Sequence, residues 1–128
     1  MAYPKNFGFN QVTVSSAATT AVSGNNVAIR VPFRSQIMKV GACIGSAIAT
    51  ADGSLAVSVL TNGTTLAVSL AGSSAITLTS TLSQAGLVFS ATPTTATFVG
   101  EDDSIIFAVT GSSTSGGVVQ YFADLKEA

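Results

Sequence analysis

Glu101, Asp102 and Asp103 form the only acidic cluster in the chain, and with it the only group of side chains whose types could move a proton or hold a cation. Adjacent carboxylates can share general acid–base work, and hard cations such as calcium or magnesium want several oxygens around them. These three acids follow Gly100 directly and lack the spaced D-x-D-x-D-G pattern of a calcium loop. They fit a solvated turn leading into a strand at Ser104; a divalent-cation site is the sharper alternative. Histidine is absent, which removes Ser-His-Asp and Cys-His arrangements. One cysteine and no histidine leave no zinc ligand set, and no phosphate loop of the G-x-x-x-x-G-K type occurs. Cys43 sits in an apolar run and is expected to be a buried, inert thiol. These residues give no catalytic constellation, and they call for no cofactor.

Contact chemistry is better represented. Arg30, Arg34 and Lys39 flank Pro32-Phe33. They read either as ordinary outward charges or as a patch for an acidic partner, since arginine is favoured at interfaces. Tyr3, Phe7 and Phe9 are three of only nine aromatic residues, and they crowd ahead of the first strand. They read either as a first strand packed on the core or as an arm reaching a neighbouring subunit, because exposed aromatics need a partner. The candidate partner-binding residues are therefore Tyr3, Phe7, Phe9, Arg30 and Arg34.

The elements that must position these residues are strands. A chain of 128 residues with 47% hydrophobic residues can bury a core without metal or disulfide support. Period-two alternation runs through nearly all of it. Val12 and Val14 open the series, Val27, Ile29 and Val31 follow up to Pro32, and Ile37–Ile44 is apolar on both faces. The most informative stretch is Leu55–Leu70, centred on Asn62-Gly63, whose residue types favour the two positive φ angles of a type I′ turn. A two-residue loop there sets Thr61 opposite Thr64, Val59 opposite Leu66, Val57 opposite Val68 and Leu55 opposite Leu70, with all six aliphatic side chains on one face. Ile76–Leu82 and Leu87–Ser90 are weaker strands, and Ser90–Thr97 with Pro93 reads as a loop. Ser104–Thr110 puts Ile105, Phe107 and Val109 on one side. After the Gly- and Ser-rich turn 111–117, the stretch Val118–Lys126 does the same with Val119, Tyr121, Ala123 and Leu125. About eight short strands imply an all-β, antiparallel, single-domain β-sandwich over residues 11–128, preceded by an arm at residues 1–10.

Charge narrows the function classes. Net charge is −1 and charged residues make up 9% of the chain, so the surface is mostly Ser, Thr, Ala, Gly and Asn. The five basic residues are scattered, which argues against nucleic-acid binding. No run is long and apolar enough for a helical membrane span, and the start lacks the apolar segment of a signal peptide. The expected site of synthesis is a cytosol. Such a surface suits a protein packed against neighbours.

From Val27 onward the chain resembles the small jelly-roll-like decoration, or cement, proteins of tailed-phage heads. The resemblance rests on Val27-Ala-Ile-Arg-Val-Pro32, Ile37-Met-Lys-Val-Gly-Ala42, Leu55-Ala-Val-Ser-Val-Leu-Thr-Asn-Gly63, Ala91-Thr-Pro-Thr-Thr-Ala96 and Val99-Gly-Glu-Asp-Asp-Ser-Ile-Ile106. The usual Gly-Asp-x-Ile before the last-but-one strand is longer here, Gly100-Glu-Asp-Asp-Ser-Ile105. The resemblance implies a jelly-roll-like sandwich and a non-enzymatic virion protein on the capsid exterior, made in the host cytoplasm. It also implies the major capsid protein as partner and a homotrimer as the assembled form. Jelly rolls also serve as fibre tips and lectins, so a receptor- or carbohydrate-binding module on a phage fibre or tail is the alternative.

Overall fold

A computed structural model describes residues 11–21, 24–47, 52–70, 75–80, 84–95, 97–111 and 117–128. Tyr3, Phe7 and Phe9, most of the turn at 111–117 and the end of the Ile76–Leu82 stretch lie outside these residues.

Among the described residues the period-two pattern is realised as eleven strand segments. In chain order they are β1 (Gln11–Ser15), β2 (Thr19–Thr20), β3 (Val27–Arg30), β4 (Ser35–Ser46), β5 (Gly53–Thr61), β6 (Thr64–Ala67), β7 (Ile76–Leu78), β8 (Val88–Ala91), β9 (Phe98–Val99), β10 (Ser104–Gly111) and β11 (Val118–Glu127). One sheet has the order β1-β11-β4-β8, with β2 also on β11 and β9 also on β4; the other has β3-β10-β5-β6, with β7 also on β5. All pairings are antiparallel. Three positions are each filled by two short segments, β1 with β2, β6 with β7 and β8 with β9, so the eleven segments occupy eight strand positions. Along the chain these positions switch between the sheets at every step except from β5 to β6. That order is the double-sheet jelly roll.

The central strands are the long ones. β4 and β11 pair over nearly their whole lengths, and β10 and β5 do the same in the other sheet. Their inward residues make the core: Ile37, Val40, Ala42 and Ile44 from β4, Leu55, Val57 and Val59 from β5, Ile105, Phe107 and Val109 from β10, and Val119, Tyr121, Ala123 and Leu125 from β11. Burying each large aliphatic among them contributes on the order of 1.5–3 kcal/mol. Phe107 and Tyr121 join the two sheets, their rings stacked at 5.2 Å between centroids with 7° between planes. The Tyr121 hydroxyl is buried and has no hydrogen-bond partner among the described residues. Taking that hydroxyl out of water pushes the Tyr121 pKa up from 10.0 to about 12.

Asn62 and Gly63 have φ of 49° and 77°, the type I′ pattern, and the pairs Thr61–Thr64 and Val59–Leu66 form as the turn requires. The Val68 N–H donates to the Val57 carbonyl at 3.0 Å, which carries the register one step further. Beyond that the structure corrects the sequence reading. Leu55 pairs with Ile76 of β7, whereas Leu70 bridges to Pro93. The chain leaves β5 after Val68, Leu70 is buried in the core, and the Ser69 carbonyl accepts the Thr94 N–H at 2.7 Å and the Thr94 hydroxyl at 3.1 Å. Ser90–Thr97 is accordingly not wholly a loop, since β8 runs to Ala91 and Pro93 takes part in that bridge. Leu66 has inward parity but is 45% exposed, because β6 is an edge strand with no described strand beyond it.

Cys43 is also corrected. It is half-buried, since Ala42 and Ile44 take the inward positions and leave it on the outer face between Gln120 and Val88. Beside it on that face, Phe122 covers Gly41. A Cβ built on Gly41 would lie 2.2 Å from the Phe89 carbonyl oxygen and 2.9 Å from the Phe122 ring, so only glycine fits.

Candidate functional site at the charged end of the sandwich

Charged residues in a sandwich of this composition are few enough to map individually. The chain has eleven, and seven of them, Arg30, Arg34, Glu101, Asp102, Asp103, Lys126 and Glu127, lie at one end. This end is built by the close of β3, the bend into β4, the β5–β6 hairpin tip, the β9–β10 turn and the last residues of β11. β1 starts here as well, with Gln11 opposite Lys126, so residues 1–10 attach at this end. Among the described residues the opposite end carries one charge, Asp52. Its Oδ1 accepts the Ser80 N–H at 2.8 Å and the Ser80 hydroxyl at 3.0 Å, and these bonds hold its carboxyl below the usual carboxylate range.

The acidic triplet is a turn. Asp102 takes a left-handed backbone with φ of 68°, and Asp103 Oδ2 accepts the Gly100 N–H at 2.8 Å, closing the turn on itself. The Asp102 N–H donates back to the Val31 carbonyl and the Val31 N–H to the Asp103 carbonyl, which fixes the turn to the end of β3. Asp102 Oδ1 accepts the Arg30 Nε–H at 2.6 Å in an exposed ion pair. Two of the three carboxylates are therefore engaged by the protein itself. No group of three or more potential ligands for a metal ion occurs among the described residues.

Arg30 and Arg34 are thus separated in role. Arg30 is paired; Arg34 is exposed and makes no ion pair with a described residue. The bend that carries Arg34 is pinned by the Ala128 N–H on the Arg34 carbonyl at 3.1 Å and by the buried Ser35 hydroxyl on the Phe33 carbonyl. Arg34 lines an open groove of about 420 Å³ with Thr61, Asn62, Phe98, Gly100 and Glu101. Phe98 is 69% exposed, the most exposed large apolar side chain among the described residues. It is outward because Val99, next to it on β9, takes the inward place. The sequence reading missed Phe98; its signal was an aromatic of opposite parity to a core valine in a two-residue strand.

The arrangement offers an aromatic surface, the Arg34 guanidinium and the Glu101 carboxylate, neither of them in an ion pair among the described residues, and the hydrogen-bonding groups of Thr61 and Asn62. Side chains of these types can make aromatic, ionic and hydrogen-bonded contacts with a partner. No protein-family model, curated protein or solved structure matches this chain.

Proposed function

We propose that this chain is a non-enzymatic virion structural protein, a decoration or cement protein that binds the outside of a phage capsid and braces it. The observation that carries this reading is the polarity of the sandwich: exposed Phe98, Arg34 with no ion pair to a described residue, the groove between them and the root of residues 1–10 share one end. The double-sheet jelly roll and the sparsely charged surface fit a module that lives packed against protein neighbours. In this reading Phe98 and Arg34 join Tyr3, Phe7 and Phe9 as anchors on the major capsid protein. Each contact is weak, and several act together through effective concentration. The shell gains stability because the ligand binds only the assembled lattice.

Cryo-electron microscopy of the virion that carries this chain tests the reading, with density of its size expected on the capsid exterior. Pelleting of undecorated shells with purified protein gives the residue-level test. Removal of residues 1–10, and separately the pair Phe98→Ala with Arg34→Glu, should each abolish coating while the domain stays folded. Exterior density that belongs wholly to other chains, or full occupancy by both variants, would sink the proposal.

A further inference from the structure

We infer that β6 is a self-pairing edge and that two copies of this chain join through it about a two-fold axis. β6 is the one strand whose every described residue is exposed, and it ends its sheet. The Val68 N–H on the Val57 carbonyl marks 57–68 as a hydrogen-bonded pair, so 59–66 and 61–64 are hydrogen-bonded pairs too. The N–H and C=O groups of Thr65 and Ala67 therefore point away from β5, along the exposed edge of the sheet. Natural edge strands are usually guarded by a charge, a proline or a bulge. β3 at the far edge of the same sheet carries Arg30 and runs into Pro32; Thr64-Thr65-Leu66-Ala67 has no such guard.

A second copy of β6 supplies the complementary groups. Laid antiparallel, Thr65 of each copy faces Ala67 of the other, and the two pairs exchange four backbone hydrogen bonds. Leu66 then sits on the two-fold axis, opposite its own symmetry mate in a non-hydrogen-bonded pair, where side chains approach to about 4.5–5.5 Å between Cβ atoms. This covers the inward-parity leucine that the monomer leaves 45% exposed. The contact is isologous and closed, so it makes dimers and not fibres. The two four-position sheets become one continuous sheet of eight. It goes beyond the capsid reading and does not rest on it, since it concerns the free protein.

The test is a charge swap at Leu66, read by sedimentation equilibrium of the full chain. The native protein should reach twice its 12.7 kDa mass. Leu66→Lys and Leu66→Glu each place like charges about 5 Å apart across the axis, so each should associate about tenfold more weakly or worse. An equimolar mixture of the two should recover the dimer, and that recovery shows that both variants fold. A native monomer at high micromolar concentration, a native trimer, or a Leu66→Lys dimer as tight as the native one would overturn the proposal.

Discussion

Tyr121→Phe should stabilise this protein and remove much of its sensitivity to alkali. The phenol lies between the sheets, its ring stacked on Phe107 and its hydroxyl without a partner among the described residues. A buried hydroxyl left unpaired costs about 1–3 kcal/mol, and phenylalanine keeps the stacking while deleting the orphan. At neutral pH the variant should gain on the order of 1 kcal/mol, with a small loss from the vacated space set against it. The pH dependence is sharper. The folded-state pKa is raised from 10.0 to about 12, so above pH 10 the unfolded chain loses a proton that the folded chain keeps. Stability is then fully present below pH 10 and falls as pH rises, at about 1.4 kcal/mol per pH unit. Roughly 3 kcal/mol should be gone by pH 12. Urea titrations of both proteins between pH 8 and 12, compared as a difference, isolate the loss that belongs to Tyr121. Tyrosinate absorbance of the native protein should show Tyr121 still protonated until unfolding begins. If the two proteins lose stability in parallel above pH 10, the buried orphan hydroxyl is not there.

Other substitutions probe the frame around it. Gly41→Ala should cost about 3 kcal/mol or more in chemical denaturation, because its methyl would meet the Phe89 carbonyl in the neighbouring strand. Gly63→Ala should cost about 1–2 kcal/mol, since a φ of 77° is left-handed and open space around the residue offers no compensation. Arg30→Ala should change the melting free energy by less than about 1 kcal/mol, as expected for an exposed ion pair, and the small effect should shrink further in high salt.

Which residues face the core was legible in the sequence, because alternation is a local property of extended backbone. Ile105, Phe107 and Val109, and Val119, Tyr121, Ala123 and Leu125, read as buried faces and are buried. Asn62-Gly63 read as a type I′ turn because the left-handed region is open to so few residue types, and it forms one. Neighbourhood was another matter. Nothing local told Leu55 to pair with Ile76 in place of Leu70, or left Leu66 bare at an edge; both follow from where burial was available once the sheets met. Cys43 in an apolar run could have faced either way, and the register of Ala42 and Ile44 decided it. Arg34 is far in sequence from Phe98 and Glu101 and shares a groove with them only because β9 pairs with the start of β4. Side-chain alternation is written residue by residue, so the sequence alone determined the long strands and, where apolar and polar residues alternate, their faces. Strand order, edges and the meeting of distant groups minimise the free energy of the whole chain, and only the tertiary structure decided them.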